Sequence, residues 1–323
     1  MKSFNDKLKD CFDNFNNIEK PAYTRNELNL YADFIELMSL FSNTDGISFG
    51  DILDRFFGTK EYSDNEITNA EQKDKDEGFV IDVLGIIEER TRLYNNDYPF
   101  SFQNSEILLL EENLNWKQKL YIGLLISSKI NIFNEFTPTL STEFETISFL
   151  VFKNYLPDYS IIKEFGKNTE YEGNAINKIT QLAKDLGLDI DNDELEGVSE
   201  RNYQERGLDV IGWIPFEDNC KNKLVYLAQC ACGKDKESKF HDTRRFENYL
   251  LFYKSKPQHI MFIPYSLINV SKGKFYQSDL IEKDFLIFER KRILSLFTQE
   301  EAFSVLEMNE IVNKCLEYVD DIV

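Results

Sequence analysis

The segment GLDVIGWIPFEDNCKNKLVYLAQCAC, residues 207–232, decides the fold of the C-terminal part of this chain. Two runs rich in apolar and β-branched residues, 207–216 and 223–232, flank the short polar link EDNCKN, so we predict two paired strands. Each predicted strand carries one polar residue that a buried sheet does not ordinarily select, Asp209 in the first and Gln229 in the second. We expect the strand pairing to bring Gln229 within reach of Asp209.

An acid and an amide on neighbouring strands point to a metal site. Mg²⁺ prefers oxygen ligands, and a bound Mg²⁺ orients and activates water and stabilises charge on a phosphate. Lys234 and Lys239 follow the second predicted strand directly, so either one could hold the attacking water or stabilise the developing charge. One short segment therefore contains the residue types that cleavage of a phosphate ester requires.

A basic segment overlaps these two lysines. Between residues 234 and 245, five basic residues stand against three acidic ones, in a chain whose net charge is −20. A local basic patch is what phosphate binding needs, so Lys236, Arg244 and Arg245 are candidate contacts to nucleic acid. The acidic charge of the whole chain repels nucleic acid, so the basic patch, a bound metal or a partner has to overcome it.

Helical and strand-like patterns alternate around this segment and predict a mixed α/β fold class, with a sheet covered by helices on both faces. The predicted elements are a helix at 139–156, a strand at 159–166, a helix at 174–188, the two strands above, a helix at 238–254, a strand at 258–268 and a C-terminal helix at 299–319.

The N-terminal part of the chain has mostly helical periodicity, as in NELNLYADFIELMSLF at 26–41. The polar stretch 58–77 interrupts this pattern and predicts a loop. We therefore predict a helical domain at 1–137 that serves as a scaffold or binds a partner, followed by a second domain at 138–323.

The order of these elements, with GLDVIGW followed by YLAQCAC, resembles the PD-(D/E)XK superfamily, which has the restriction-endonuclease-like fold. The resemblance is to the Mrr-type branch with its Q-x-K motif, and it covers about residues 139–270. It implies an αβββαβ core in which Asp209 and Gln229 hold the metal. It also implies a supporting acid on the first helix, where EFETISF offers Glu145 directly after Phe144.

One position departs from the family pattern, because Ala231 stands where the motif has its lysine. The resemblance then implies either a relocated lysine, for which Lys234 and Lys239 are the candidates, or an inactive relative.

The activity implied by the resemblance is Mg²⁺- or Mn²⁺-dependent hydrolysis of phosphodiester bonds, in DNA or else in RNA. The implied context is a bacterial antiphage or restriction system in which a protein partner supplies recognition or control, and in which cleavage of both strands calls for a homodimer. The alternative is a catalytically inactive scaffold that keeps the nuclease fold and docks onto a partner.

Each candidate residue also has a purely structural interpretation. Asp209 could cap the turn at Gly207, and Gln229 could be a buried amide with its own hydrogen-bond partners. Glu145 could be the N3 residue of a capping box with Thr142. The lysines after the second strand could belong to an ordinary solvated surface.

Other chemistries have weaker support in the sequence. Zinc is conceivable, but the chain lacks a C-x₂-C pair, and neither a P-loop nor a GxGxxG motif is present. An odd number of irregularly spaced cysteines favours reduced thiols and a cytoplasmic location, and we see neither a secretory signal nor a membrane-length apolar run. The zinc candidates are Cys220, Cys230, Cys232 and His241.

Overall fold

The chain forms two compact units of mixed α/β structure, which confirms the predicted fold class. The first unit comprises 1–140, 265–278 and 299–323, and the second comprises 141–264 and 279–298. The domain boundary at residue 137 stays a prediction. The structure is a computed structural model that describes residues 2–16, 28–42, 46–58, 66–103, 107–166, 169–198, 207–216, 218, 220–233, 242–276 and 285–318.

The regular elements are numbered in chain order. The helices are α1 (Phe4–Asn16), α2 (Leu28–Phe41), α3 (Phe49–Phe57), α4 (Glu66–Tyr94), α5 (Trp116–Ser128), α6 (Thr137–Tyr155), α7 (Ala175–Leu186), α8 (Asn192–Glu196), α9 (Phe246–Tyr249), α10 (Arg290–Leu296), α11 (Glu300–Ser304) and α12 (Glu307–Glu317). The strands are β1 (Ile47–Ser48), β2 (Phe100–Gln103), β3 (Ile107–Leu110), β4 (Ile161–Glu164), β5 (Asp189–Ile190), β6 (Val210–Trp213), β7 (Val225–Cys230), β8 (Leu250–Leu251), β9 (Gln258–Phe262), β10 (Ile268–Asn269), β11 (Lys274–Phe275) and β12 (Leu286–Phe288).

Helix α4 corrects the loop predicted at 58–77, because it already begins at Glu66. The polar run consists largely of good helix formers such as Glu, Lys, Gln and Ala, so it forms an exposed helical surface. Lys73 and Glu77 form an i,i+4 ion pair on that surface at 3.8 Å. None of the helices in the described ranges is long and apolar enough to cross a membrane.

A buried ion cluster lies in the core of the first unit. The guanidinium of Arg90 on α4 lies 2.8 Å from a carboxylate oxygen of Asp33 and 2.7 Å from one of Glu36, both on α2. The hydroxyl groups of Tyr98 and Tyr121 also donate to Glu36. Burial alone would lower the pKa of Arg90, but the two carboxylates outweigh it and hold that pKa well above its ordinary value.

We predict that Arg90→Met destabilises the first unit by about 3–5 kcal/mol, because it leaves two buried carboxylates without their cation. Urea unfolding of the full chain measures this loss. Arg92→Met is the matched control on the same helix: its ion pair with Glu88 is exposed, so we expect less than about 1 kcal/mol. Equal unfolding midpoints for the two variants would contradict the role given to the buried cluster.

The second unit contains a five-stranded mixed sheet with the order β12-β9-β7-β6-β4. Strands β4, β6 and β7 are antiparallel neighbours, whereas β7, β9 and β12 run parallel. The two strands predicted from the quoted segment are confirmed as β6 and β7, although each is shorter than its apolar run. From α6 to β9 the elements follow one another as α6, β4, α7, β5, α8, β6, β7, α9, β8 and β9, so α7, β5 and α8 are inserted between the strands β4 and β6.

Helices cover both faces of this sheet. On one face α6 packs closely, since a Cβ added at Gly212 of β6 would lie 2.8 Å from the ring of Phe152. On the other face Ile179 and Leu182 of α7 share a buried apolar cluster with Leu227 of β7. Because side chains alternate along a strand, Gln229 faces the α7 side with Leu227, and Cys230 faces α6.

Two helix predictions need correction. The helix predicted at 238–254 is, from Thr243 on, one 3₁₀ turn and α9, because Leu250 leaves the helix to pair with Ile190 of β5. Residues 238–241 lie outside the described residues. The C-terminal helix predicted at 299–319 is interrupted between α11 and α12, at Val305 and Leu306.

Candidate active site

The carboxylate of Asp209 lies at the end of the β6–β7 pair. Val210 is the register partner of Ala228, and the N–H of Asp209 also donates to the Ala228 carbonyl at 3.0 Å. Two residues of one strand therefore oppose a single residue of the other, as in a β-bulge, which re-aims a side chain. The Asp209 carboxylate accepts a hydrogen bond from the N–H of Cys230 at 2.6 Å.

Glu145 approaches the same place from α6. Its Oε2 lies 3.9 Å from the position that a Cβ at Gly166 would occupy. The preceding residue, Phe165, donates its N–H to the carbonyl of Asp209 at 2.8 Å. The short segment after β4 thus contacts the backbone of Asp209 and lies beside the carboxylate of Glu145.

The pKa of the Cys230 thiol depends on its burial and on the acids around it. Burial raises its pKa well above the ordinary value. The carboxylates of Asp209 and Glu145 raise this pKa further, against a hydrogen bond with Ser148 that lowers it. Burial and the nearby acids therefore disfavour the thiolate form of Cys230, which is the form that binds zinc.

Gln229 faces the other side of the sheet and is almost fully buried, with 3% of its surface exposed. Its amide nitrogen donates to Asp242 at 3.2 Å. Its amide oxygen is buried without a hydrogen-bond partner among the residues that the structure describes. A buried amide oxygen with nothing to accept from is unfavourable, and a cation would satisfy it.

The interpretation of Glu145 as part of a capping box is wrong. Helix α6 begins at Thr137, so Thr142 lies inside the helix and is not its N-cap. The carbonyl of Thr142 accepts instead from the hydroxyl of Thr146, at 3.2 Å. Glu145 is thus an interior helix residue whose place in the sequence has no capping explanation.

The candidate basic residues are only partly described. Lys234, Lys236 and Lys239 lie outside the described residues. Arg245 is about half exposed and pairs with Asp242 at 3.2 Å. The guanidinium of Arg244 lies over the ring of Phe285, with 5.5 Å to the ring centroid.

The donors present fit a hard cation. They are the carboxylates of Asp209 and Glu145, both oxygen ligands, which lie near Cys230. In the described part of the chain, His, Cys, Asp and Glu side chains do not gather in groups of three or more that could hold a metal. The amide oxygen of Gln229 is a further oxygen donor, but it lies on the α7 side of the sheet. Of the zinc candidates, Cys220 is exposed, Cys230 and Cys232 are buried, and His241 is not among the described residues.

Two residues near the site were not predicted from the sequence. Asp242 contacts Gln229 and packs against Gly207, and nothing in its surroundings in the sequence signals this contact. Lys178 lies on the buried side of α7, where only 5% of its surface is exposed. A signal for Lys178 was present, because it falls between Ala175 and Leu182 on the apolar stripe of a predicted helix.

Comparison of this chain with protein-family models, with curated proteins and with solved structures gives no match.

The approach of Gly207 to Asp242 can be tested. Gly207 has a φ of +82°, and a Cβ there would lie only 2.4 Å from the Cβ of Asp242. We predict that Gly207→Ala destabilises the second unit by about 3 kcal/mol, through both backbone strain and this clash. The control is Gly187→Ala, which has a φ of +66° but open space, and should cost about 1 kcal/mol. Equal losses in urea unfolding would show that the contact with Asp242 is unimportant.

A hydrogen-bonded chain anchors the turn that carries Asp242. The hydroxyl of Thr243 is hydrogen-bonded to Nδ1 of His259 on β9, and Nε2 of that ring is hydrogen-bonded to Glu247, both at 2.9 Å. Burial would raise the pKa of Glu247, but the bonds from His259 and Lys256 outweigh it and hold this pKa below its ordinary value of 4.5.

This lowered pKa predicts how stability depends on pH. The ionised Glu247 stabilises the fold above pH 4.5, and this contribution is lost as the pH falls through the lower pKa of the folded state. Glu247→Gln should therefore lose less stability than the wild type between pH 6 and pH 3, as measured by urea unfolding. Equal losses of unfolding free energy in the wild type and in Glu247→Gln would contradict the prediction.

Proposed function

We propose that this chain is a nuclease that hydrolyses phosphodiester bonds, with DNA as substrate and Mg²⁺ or Mn²⁺ as cofactor. The observation that carries the proposal is that Asp209 and Glu145 both lie against the short segment after β4, close to the end of β7. Asp209 comes from a β-bulge and Glu145 from the covering helix, and both carboxylates act on Cys230. Next to Cys230 is Gln229, whose buried amide oxygen lacks a described partner.

The topology of the second unit supports the same proposal. Its helix, three antiparallel strands, short helix and parallel strand follow the αβββαβ order that the resemblance to the PD-(D/E)XK superfamily implies, with α7, β5 and α8 inserted after the first strand. Asp209 directly precedes the second of these strands, and Gln229 lies near the end of the third. These are the two positions at which that family places its metal ligands.

Each residue has a distinct role in this proposal. Asp209 and Glu145 hold the metal, which activates water and stabilises charge on the phosphate when it is bound, and Gln229 joins them only by reaching around the end of β7 from the α7 side. The bond from the Cys230 N–H fixes one oxygen of Asp209 and so orients its carboxylate. Lys234 or Lys239 supplies positive charge, and Lys236, Arg244 and Arg245 contact the nucleic-acid backbone.

A scaffold without activity is the second candidate. The observation in its favour is Ala231, which is fully buried at the position where the family motif has its lysine. The net charge of −20 also favours it, because a strongly acidic chain repels DNA. In this alternative the chain is an interaction subunit of a bacterial defence complex.

The proposed context follows from the resemblance. A partner protein in a restriction or antiphage system would supply recognition, and a homodimer would allow both strands of a duplex to be cut. RNA is the alternative substrate. Supplying partner proteins in the assay and comparing duplex DNA with RNA distinguishes these cases.

The direct test is cleavage of supercoiled plasmid in Mg²⁺ and in Mn²⁺. We predict that Asp209→Asn lowers the cleavage rate by about 100-fold or more, because the charge that holds the metal is lost while the side chain keeps its size. Asp218→Asn is the matched control, since Asp218 is an exposed acid in the link between β6 and β7. Its rate should stay within about 2-fold of the wild type.

The same assay tests the proposed lysines. A double variant with Lys234→Ala and Lys239→Ala shows whether either lysine acts. Wild-type cleavage that survives Asp209→Asn would contradict the proposed site. If the folded wild type cleaves neither DNA nor RNA, even with its partner proteins present, the scaffold alternative replaces the nuclease.

A further inference from the structure

Lys178 is a buried lysine in the second unit. It lies on α7, whose other inward residues are apolar, and only 5% of its surface is exposed. Lysine is almost never this deeply buried unless its charge has a partner. Its place in the fold therefore calls for an explanation that an ordinary core does not supply.

The described partners of Lys178 do not satisfy its charge. Its ammonium donates to the carbonyl of Gly166 at 2.9 Å. Among the residues that the structure describes, it forms no ion pair with a carboxylate. An ammonium has three donors and no acceptor, so two N–H groups of Lys178 have no acceptor among the described residues. A buried cation in this state favours an anionic ligand.

Lys178 contacts the same short segment that joins the two acids of the candidate site. Gly166, its acceptor, is the residue beside which Oε2 of Glu145 lies. The neighbouring Phe165 donates to the carbonyl of Asp209. The side chains of Lys178 and Glu145 and the backbone of Asp209 thus all lie against two consecutive residues after β4.

We propose that Lys178 is the catalytic lysine of this site, supplied by α7 in place of the lysine that β7 lacks at Ala231. This inference rests on the proposed nuclease function and assigns to Lys178 the role first considered for Lys234 and Lys239. The ammonium binds a non-bridging oxygen of the phosphodiester that is cleaved, and it stabilises the negative charge that develops there.

In the proposed step Lys178 neither gives nor takes a proton. The oxygen of water forms the new bond to phosphorus, and the bond from phosphorus to the leaving sugar oxygen breaks. The proton of the attacking water passes to solvent, and the leaving oxygen takes a proton from solvent. The contribution of Lys178 is therefore electrostatic. The effect of its charge can be measured separately from the effect of its hydrogen bond to Gly166.

Three variants separate catalysis from structure. Lys178→Gln keeps a donor for the Gly166 carbonyl and removes the charge, whereas Lys178→Met removes both. Lys184→Met, on the exposed side of α7, is the matched control. Thermal unfolding checks that each variant folds, single-turnover cleavage of a duplex oligonucleotide in Mn²⁺ gives the rate, and fluorescence anisotropy in Ca²⁺ gives DNA binding without cleavage.

We expect Lys178→Gln to fold like the wild type and to cleave about 100-fold more slowly at saturating DNA, with Lys184→Met unchanged. If Lys178→Gln cleaves at the wild-type rate while Asp209→Asn does not cleave, Lys178 is structural and the nuclease proposal stands. If the wild type neither cleaves nor binds DNA, the nuclease proposal fails, and the ligand assigned to Lys178 fails with it.

Discussion

The hydrogen bond from the N–H of Cys230 to the carboxylate of Asp209 is the interaction on which the candidate site depends. It forms where the regular pairing of β6 and β7 ends, so a side chain replaces the next backbone acceptor of the ladder. The bond fixes the aspartate at the edge of the sheet, and the backbone of the same residue accepts from Phe165 after β4. Three strands therefore contact one acid, and Glu145 of α6 lies beside the segment that follows β4.

The sequence predicted the parts of this arrangement that depend on local patterns. Two apolar runs with one polar residue each identified the paired strands and singled out Asp209 and Gln229. The bulge could not be predicted, because it depends on how the ladder ends rather than on residue type. The contact of Asp242 with Gln229 was also beyond reach, since it arises from a turn in a segment whose pattern predicted a continuous helix. The helical pattern places Lys178 on an apolar stripe, but a role for this lysine could be inferred only from its contact with Gly166.

The two candidate functions need different distributions of charge. A scaffold needs only the fold, and both the net charge of −20 and the buried Ala231 are compatible with it. A nuclease needs positive charge next to the acids. A buried ammonium on α7, close to Glu145 through Gly166, provides such charge without the motif lysine. Burying a lysine without a counter-charge destabilises a fold, and no described carboxylate pairs with Lys178. A binding role for the ammonium explains its burial, whereas a scaffold does not, so Lys178 favours the nuclease.

Iron-mediated cleavage of the protein backbone tests the central claim most directly, because it locates the metal independently of any nuclease activity. Fe²⁺ takes the place of Mg²⁺, ascorbate and peroxide generate hydroxyl radicals at the metal, and mass spectrometry identifies the peptide bonds that are cut. We predict cuts next to Glu145, Asp209 and Gln229 in the wild type, suppressed by excess Mg²⁺ and lost in Asp209→Asn. Cuts confined to other parts of the chain, or a pattern unchanged in that variant, would contradict a metal site at the end of β7.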